Sequence, residues 1–219
     1  MKRILVSVVL VVALVACARL PILRPDGENG TVRSDLDCRS IFPKGRWQLY
    51  HAIEATIPGG RKSVLTGVTV VSSKDRSVEC ALMTVEGFVL FSARDDGRLT
   101  VDRAIAPFDR PGFAQGLMDD LNLLFFVPQE PLCLTGWSDS QDHIFRYCLD
   151  GRTTDISVKK NQTWAIRQYT SRNRLARSVD AGQVVRVGRQ LFAKRLTLRN
   201  HGWLGYQLDL KLVEAVPLK

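Results

Sequence analysis

The side chain with the most specific chemistry in this 219-residue chain is the thiol of Cys17. It closes the run Leu14-Val15-Ala16-Cys17, which resembles the box cut by lipoprotein signal peptidase. Small Ala16 precedes the cut, and the thiol behind it accepts a diacylglyceryl group. The flanking residues fit that chemistry: Lys2 and Arg3 form a short positive start, and Ile4 to Ala16 carry no charge, the layout of an export signal. A membrane-spanning helix needs about 20 apolar residues, and Arg19 ends this stretch earlier. One acyl chain holds a protein only marginally, whereas several anchor it stably. Residues 1–16 are therefore expected to be a signal peptide, with Cys17 the lipidated first residue of a membrane-held mature chain. Ala18, rather than Asp, follows the cysteine. In envelopes of the enterobacterial type this favours the periplasmic face of the outer membrane.

Elsewhere the reactive residue types lack the spacing that catalysis needs. Gly136-Trp137-Ser138-Asp139-Ser140 looks like a nucleophile elbow, but Ser140 replaces the second glycine and no strand-to-helix step follows. A hairpin loop is the expected reading. His51, His143 and His201 are the only candidate general bases. His51 falls in a strand-like alternation and the other two fall in turns. Asp119 and Asp120 are neighbours, which on a helix do not share a face, and they are placed on its exposed side. Glycine-rich phosphate loops are absent from the sequence. The expectation is a protein that is not an enzyme, with no catalytic residue, metal or cofactor.

Cys38, Cys80, Cys133 and Cys148 remain after Cys17. They show neither a Cys-x-x-Cys spacing nor a histidine cluster of the kind that binds zinc, and in an oxidising compartment cysteines of this number pair. Cys133 with Cys148 is the expected bridge, because Gly136 to Gln141 reads as a turn folding two strands together. Cys38 with Cys80 would then pin the N-terminal segment to the sheet, the alternative for any of the four being a buried thiol.

Removing residues 1–16 takes away Lys2 and Arg3, so 203 residues remain and the formal charge falls from +9 to +7. Hydrophobic residues make up 45% and charged residues 24%, the balance of one globular domain with a core. A basic balance suits anionic headgroups, lipopolysaccharide phosphates or nucleic acid. Export removes nucleic acid, and the basic residues are scattered rather than blocked.

The elements that must position these residues follow from periodicity. Residues 17–45, with Pro21, Pro25, Gly27, Gly30, Pro43 and Gly45, have the composition of a flexible tether, and 46–219 form the folded domain. Trp47 to Ile57 alternate with period two, as a half-buried strand does. Ser63–Ser72, Val78–Val85, Phe88–Ala93 and Leu99–Ile105 follow as strands of an antiparallel meander, with Asp95-Asp96-Gly97 a hairpin signal. The segment Phe113–Phe126 has helical spacing, and after Cys133 strands resume at 144–149, 155–158, 163–170, 183–187, 191–198 and 206–213. The expected fold is mainly β: a single curved antiparallel sheet of about ten or eleven strands forming an unclosed half-barrel with a short central helix. Trp47, Phe88, Phe91, Phe108, Phe113 and Trp164 are candidates for lining an apolar cavity, with ordinary core packing as the alternative.

A lipobox, an antiparallel run with hairpins and a central Pro-rich loop before an amphipathic helix together resemble the LolA/LolB-like carriers and receptors of outer-membrane lipoprotein localisation. More closely, the chain resembles a set of uncharacterised proteobacterial outer-membrane lipoproteins that share that fold. Leu82 to Phe126 carries this second likeness, above all Thr84-Val85-Glu86-Gly87-Phe88-Val89-Leu90-Phe91 and Arg103-Ala104-Ile105-Ala106-Pro107-Phe108-Asp109, with the closing Gly205-Tyr206-Gln207-Leu208. The resemblance implies a half-barrel with a helix plug that binds or accepts an apolar or acylated molecule during envelope transport. Lipid, the acyl chain of a lipoprotein and a polyene-type product are the classes it implies. The membrane, through the N-terminal lipid, and envelope transport proteins are the implied partners. A non-ligand-binding accessory subunit of an envelope assembly is the alternative.

Overall fold

Period-two patterning from Trp47 onward is realised as strand after strand of one sheet. The computed structural model describes residues 20–26, 37–57, 59–159, 162–202 and 205–219. Cys17 and the segment 1–16 lie outside the described residues. Among the described residues thirteen strands form: β1 Arg24–Pro25, β2 Arg46–Thr56, β3 Lys62–Ser72, β4 Ser77–Met83, β5 Val89–Asp95, β6 Leu99–Ala104, β7 Leu132–Trp137, β8 His143–Leu149, β9 Arg152–Val158, β10 Trp164–Tyr169, β11 Leu175–Val187, β12 Gln190–Asn200 and β13 Gln207–Leu218. A single α-helix among the described residues, α1 Phe113–Phe125, lies between β6 and β7. No helix among them is long and apolar enough to cross a membrane.

The spatial order is β1-β7-β8-β9-β10-β11-β12-β13-β2-β3-β4-β5-β6, an open, curved antiparallel sheet. Two meanders, β2 to β6 and β7 to β13, are thus joined by one pairing, β13 on β2. It runs from Arg46 opposite Leu218 to Thr56 opposite Gln207, with a bulge between Leu212 and Glu214. Alternation decides which face is buried. In β2, Trp47, Leu49, His51, Ile53 and Ala55 are buried while Gln48, Tyr50, Ala52 and Glu54 are not. The inward faces of both meanders meet Met118, Leu121, Leu124 and Phe125 of α1 in one core, whose most buried large side chains include Phe91, Leu49, Ile156, Ile166 and Leu198.

The count exceeds ten or eleven because β1 and β7 carry weak local signals; β11, an expected strand, starts eight residues before the expected Gln183. The N-terminal stretch also departs from a free tether. Arg24 and Pro25 pair with Trp137 and Gly136 of β7, and Leu23 is buried. A Cβ on Gly136 would come within 2.3 Å of the Arg24 carbonyl oxygen, so only glycine lets the two backbones approach. Nearer the sheet, Cys38 to Ile41 form a 3-10 turn, and Cys38 and Phe42 join the core.

Arg146 alternates with Phe145 and Tyr147, which pack toward the core, so its side chain lies on the opposite face. There it makes two 2.7 Å bonds to the Asp155 carboxylate and donates to the Pro21 carbonyl at 2.9 Å. Both side chains are buried, and burial raises the Asp155 pKa despite the guanidinium. Removing one member of a buried pair strands the other. Arg146→Ala is therefore expected to cost about 3–5 kcal/mol, read as a lower urea midpoint with unchanged m-value, while Arg172→Ala on an exposed turn should leave the midpoint in place.

Candidate functional site

The space between α1 and the inward face of the sheet is the first place to look for a ligand. Trp47, Phe91 and Trp164 are buried there. Phe113, at the start of α1, meets Phe91 edge-on at 5.4 Å between centroids and Phe108 at 5.2 Å, and Trp47 meets Phe192 at 4.9 Å. Phe88 behaves differently. It sits at the end of the β4–β5 turn, 53% exposed, with the Arg103 guanidinium 5.0 Å over its ring, so it faces outward rather than lining the interior.

A cavity of about 20 Å³ remains between Leu49, His51, Leu124, Phe125, Trp164 and Leu196. That volume suits a single water. His51, which projects from β2 among these side chains, is 3% exposed. Burial lowers its pKa to about 4, so the imidazole is neutral near pH 7 and packs 6.3 Å from the Phe125 ring.

The strongest polar feature of the interior is one that sequence reasoning placed on the wrong side of the helix. Asp120 is 1% exposed, not solvent-facing. Its Oδ1 lies 2.8 Å from Arg177 Nε of β11, and the Tyr206 hydroxyl donates to Oδ2. The Nε contact is an electrostatic pairing rather than a well-directed hydrogen bond. Burial lifts the Asp120 carboxyl to about 6, with the Tyr206 bond and the Arg177 charge opposing it. Burial and that carboxylate also raise the Tyr206 pKa. Asp119, one residue earlier and half-buried, reaches Arg177 Nη2 at 3.5 Å. A charged clasp thus fastens the middle of α1 to the sheet, and Arg76 Nη1 holds the Val127 carbonyl just beyond its end at 3.0 Å.

Cys133 and Cys148 form a disulfide across β7 and β8, with Cα atoms 5.8 Å apart. The other expected pair does not form. Cys38 and Cys80 are free and buried, because the turn that carries Cys38 packs on a different part of the sheet from β4, which carries Cys80. Cys38 packs near β9 and β12, its Sγ 3.2 Å from the Tyr147 hydroxyl of β8. Cys80, in β4, lies opposite Thr69 and Ala93, and burial pushes its thiol up to about 12.

The serine-rich loop is a hairpin. Ser138 N donates to the Asp142 carbonyl, Gln141 N to that of Ser138, and the Ser138 and Ser140 hydroxyls lie 2.8 Å apart. His143 points instead at Asp26, with Nε2 2.8 Å from Oδ2. His201 Nε2 lies 2.9 Å from Ser178 Oγ, but Ser178 is buried, so that contact orients the ring and presents no accessible nucleophile.

No protein-family model and no curated protein matches the sequence. Among solved structures, a LolA superfamily protein from Nitrosomonas europaea superposes with a TM-score of 0.56 at 9% identity, covering 83% of this chain and 90% of that one. A Vibrio parahaemolyticus domain named for outer membrane lipoprotein sorting gives 0.45 at 8% identity over 78% and 85%. A DUF1329 family protein from Desulfovibrio piger gives 0.45 at 7% identity over 80% and 88%. The chain thus shares its fold with the Nitrosomonas europaea protein.

The two buried titrating groups pull stability in opposite directions. Asp120 titrates near 6 in the fold against 3.8 when free. The folded state therefore holds an extra proton between those values, and the stability this gives is full at low pH and lost as pH rises through 6. His51 titrates near 4 against 6.5, so its contribution is present above 6.5 and lost as pH falls through 4. Asp120→Asn removes only the first effect. Relative to wild type, the variant is expected to lose a further ~2 kcal/mol as pH drops from 6 to 4, measured as the difference between their urea unfolding curves; parallel pH profiles would contradict this assignment.

Proposed function

We propose that this chain is a lipoprotein anchored through Cys17 to the periplasmic face of the outer membrane, where its half-barrel takes up or accepts an apolar or acylated molecule in transit through the envelope. The clasp on α1 carries the reading. A buried ion pair is often replaceable by apolar side chains without loss of stability, so a core that stays closed gains little from Asp120 and Arg177. A cover that lifts gains a great deal, because a polar contact restricts it to one seating and can be released by solvation or by a competing charge. Beneath that cover lies an apolar face with few polar groups, and the LolA-superfamily fold supports the same use.

The cavity between α1 and β2 holds about 20 Å³, far below the roughly 300–1,000 Å³ of ligand pockets. Uptake therefore requires α1 to move, exposing Met118, Leu121, Leu124 and Phe125. The small size of that cavity favours a second reading, an accessory subunit of an envelope assembly that binds nothing small.

Two measurements decide. Mass spectrometry of organic extracts from the purified mature chain is expected to find a co-purifying lipid or acylated molecule at stoichiometric level. Its repeated absence, with a stoichiometric protein partner in its place, favours the accessory subunit. Metabolic labelling with palmitate is expected to mark the wild type and leave exported Cys17→Ser unlabelled; equal labelling would refute the anchor at Cys17.

A further inference from the structure

Beside the clasp, the turn between β10 and β11 and the connection between β12 and β13 enclose a recess of about 770 Å³, within the usual size range of small-molecule pockets. Thr170, Arg172, Arg174, Leu175, Arg177 and His201 line it. The turn is well fixed. Thr170 Oγ1 accepts from the backbone N–H groups of both Arg172 and Arg174, and Asn173 takes the left-handed conformation, at φ 56°, that closes it.

The charge of the recess is one-sided. Arg172 and Arg174 are exposed, and among the described residues neither guanidinium has a carboxylate partner. Arg177 is the third cation, shared with Asp119 and Asp120. His201 is held below the usual imidazole range, first by burial and then by the nearby Arg199 and Arg167 charges, with Asp180 opposing them. Guanidinium groups match phosphate oxygens two at a time. Leu175, Ala176 and the arginine stems add apolar wall, so the occupant that fits carries an anionic group beside apolar substance.

We propose that this recess binds the phosphate of an amphiphile, holding the head of a molecule whose tail enters under α1; the tail's place rests on the function proposed above, the phosphate site does not. Arg177 belongs to both the recess and the clasp, so a phosphate there competes with Asp120 for it and loosens the lid.

The test uses the mature lipidated chain in a non-ionic detergent, titrated calorimetrically with inorganic phosphate, a short-chain phosphatidate and the matching short-chain diacylglycerol. Phosphatidate is expected to bind at least about tenfold tighter than diacylglycerol, and the double substitution Arg172→Ala/Arg174→Ala to remove about tenfold or more of its affinity while diacylglycerol binding stays unchanged. An unchanged melting curve would show that the variant is folded. Inorganic phosphate binding as tightly as phosphatidate assigns the site to the free anion and overturns the lipid head. Phosphatidate binding no tighter than diacylglycerol, or unaffected by the double substitution, overturns the phosphate site and leaves the carrier reading standing. Loss of diacylglycerol binding alone, with the arginine-dependent phosphate affinity intact, does the reverse.

Discussion

The pairing of β13 with β2 is the contact on which the rest of the molecule depends. Each meander alone would end in a long open edge, a ready site for association with another chain. Joined, they form one continuous concave wall, and the chain between β6 and β7 must cross it to pass from the far edge of one meander to the far edge of the other. That crossing is where α1 sits. Many contacts in this pairing are distant in sequence, Arg46 with Leu218 the extreme case. A sheet closed so late in the sequence is expected to form slowly relative to its local hairpins, because loop closure must precede the gain from pairing.

Once the wall exists, its inward face has to be covered, and one 13-residue helix does much of that work. Apolar contact supplies the attraction, since Met118, Leu121, Leu124 and Phe125 enter a core that includes Leu49 and Phe91. Specificity comes from Asp120. An aspartate buried among those side chains is tolerable only where Arg177 and Tyr206 stand, because elsewhere on the wall the charge would be unpaired. Attraction holds the helix down and the clasp chooses where. His51 contributes the opposite pH sensitivity from the floor of the same interior, so acidification relaxes one buried cost while raising the other.

Much of this wall was legible in the sequence. Leu208, Leu210 and Leu212 against Gln207, Asp209 and Lys211 mark β13, and Trp47, Leu49, His51 and Ile53 mark β2, because half-buried strands write their faces locally. The helix was equally clear from Phe113, Leu117, Leu121 and Leu124. What stayed hidden depends on partners far along the chain. β1 is two residues long and contains proline, and only Gly136 of β7 makes room for it. Asp120 reads as solvent-facing because nothing near it in sequence announces Arg177. Cys38 was expected to reach Cys80, but the order of strands puts Tyr147 beside it instead. Phe88, apolar in type, lies outside because the β4–β5 turn carries it there, over Arg103.

The hidden strand also changes what an anchor at Cys17 would do. A 28-residue leash would let the domain drift well away from a bilayer, whereas Pro21 to Asp26 are fixed by the Arg146 bond, the β7 pairing and the His143 contact. Only three residues separate Cys17 from Pro21, four Cα-to-Cα steps with a reach of at most about 14 Å when fully extended. The strap also occupies the outer side of β7, so the sheet edge that would otherwise be open is covered by the segment leading from the anchor. Under the proposed anchoring at Cys17, this strap would hold the half-barrel close against the membrane surface, on its β7 side, and a molecule released from under α1 would have only a short distance to cross to reach lipid.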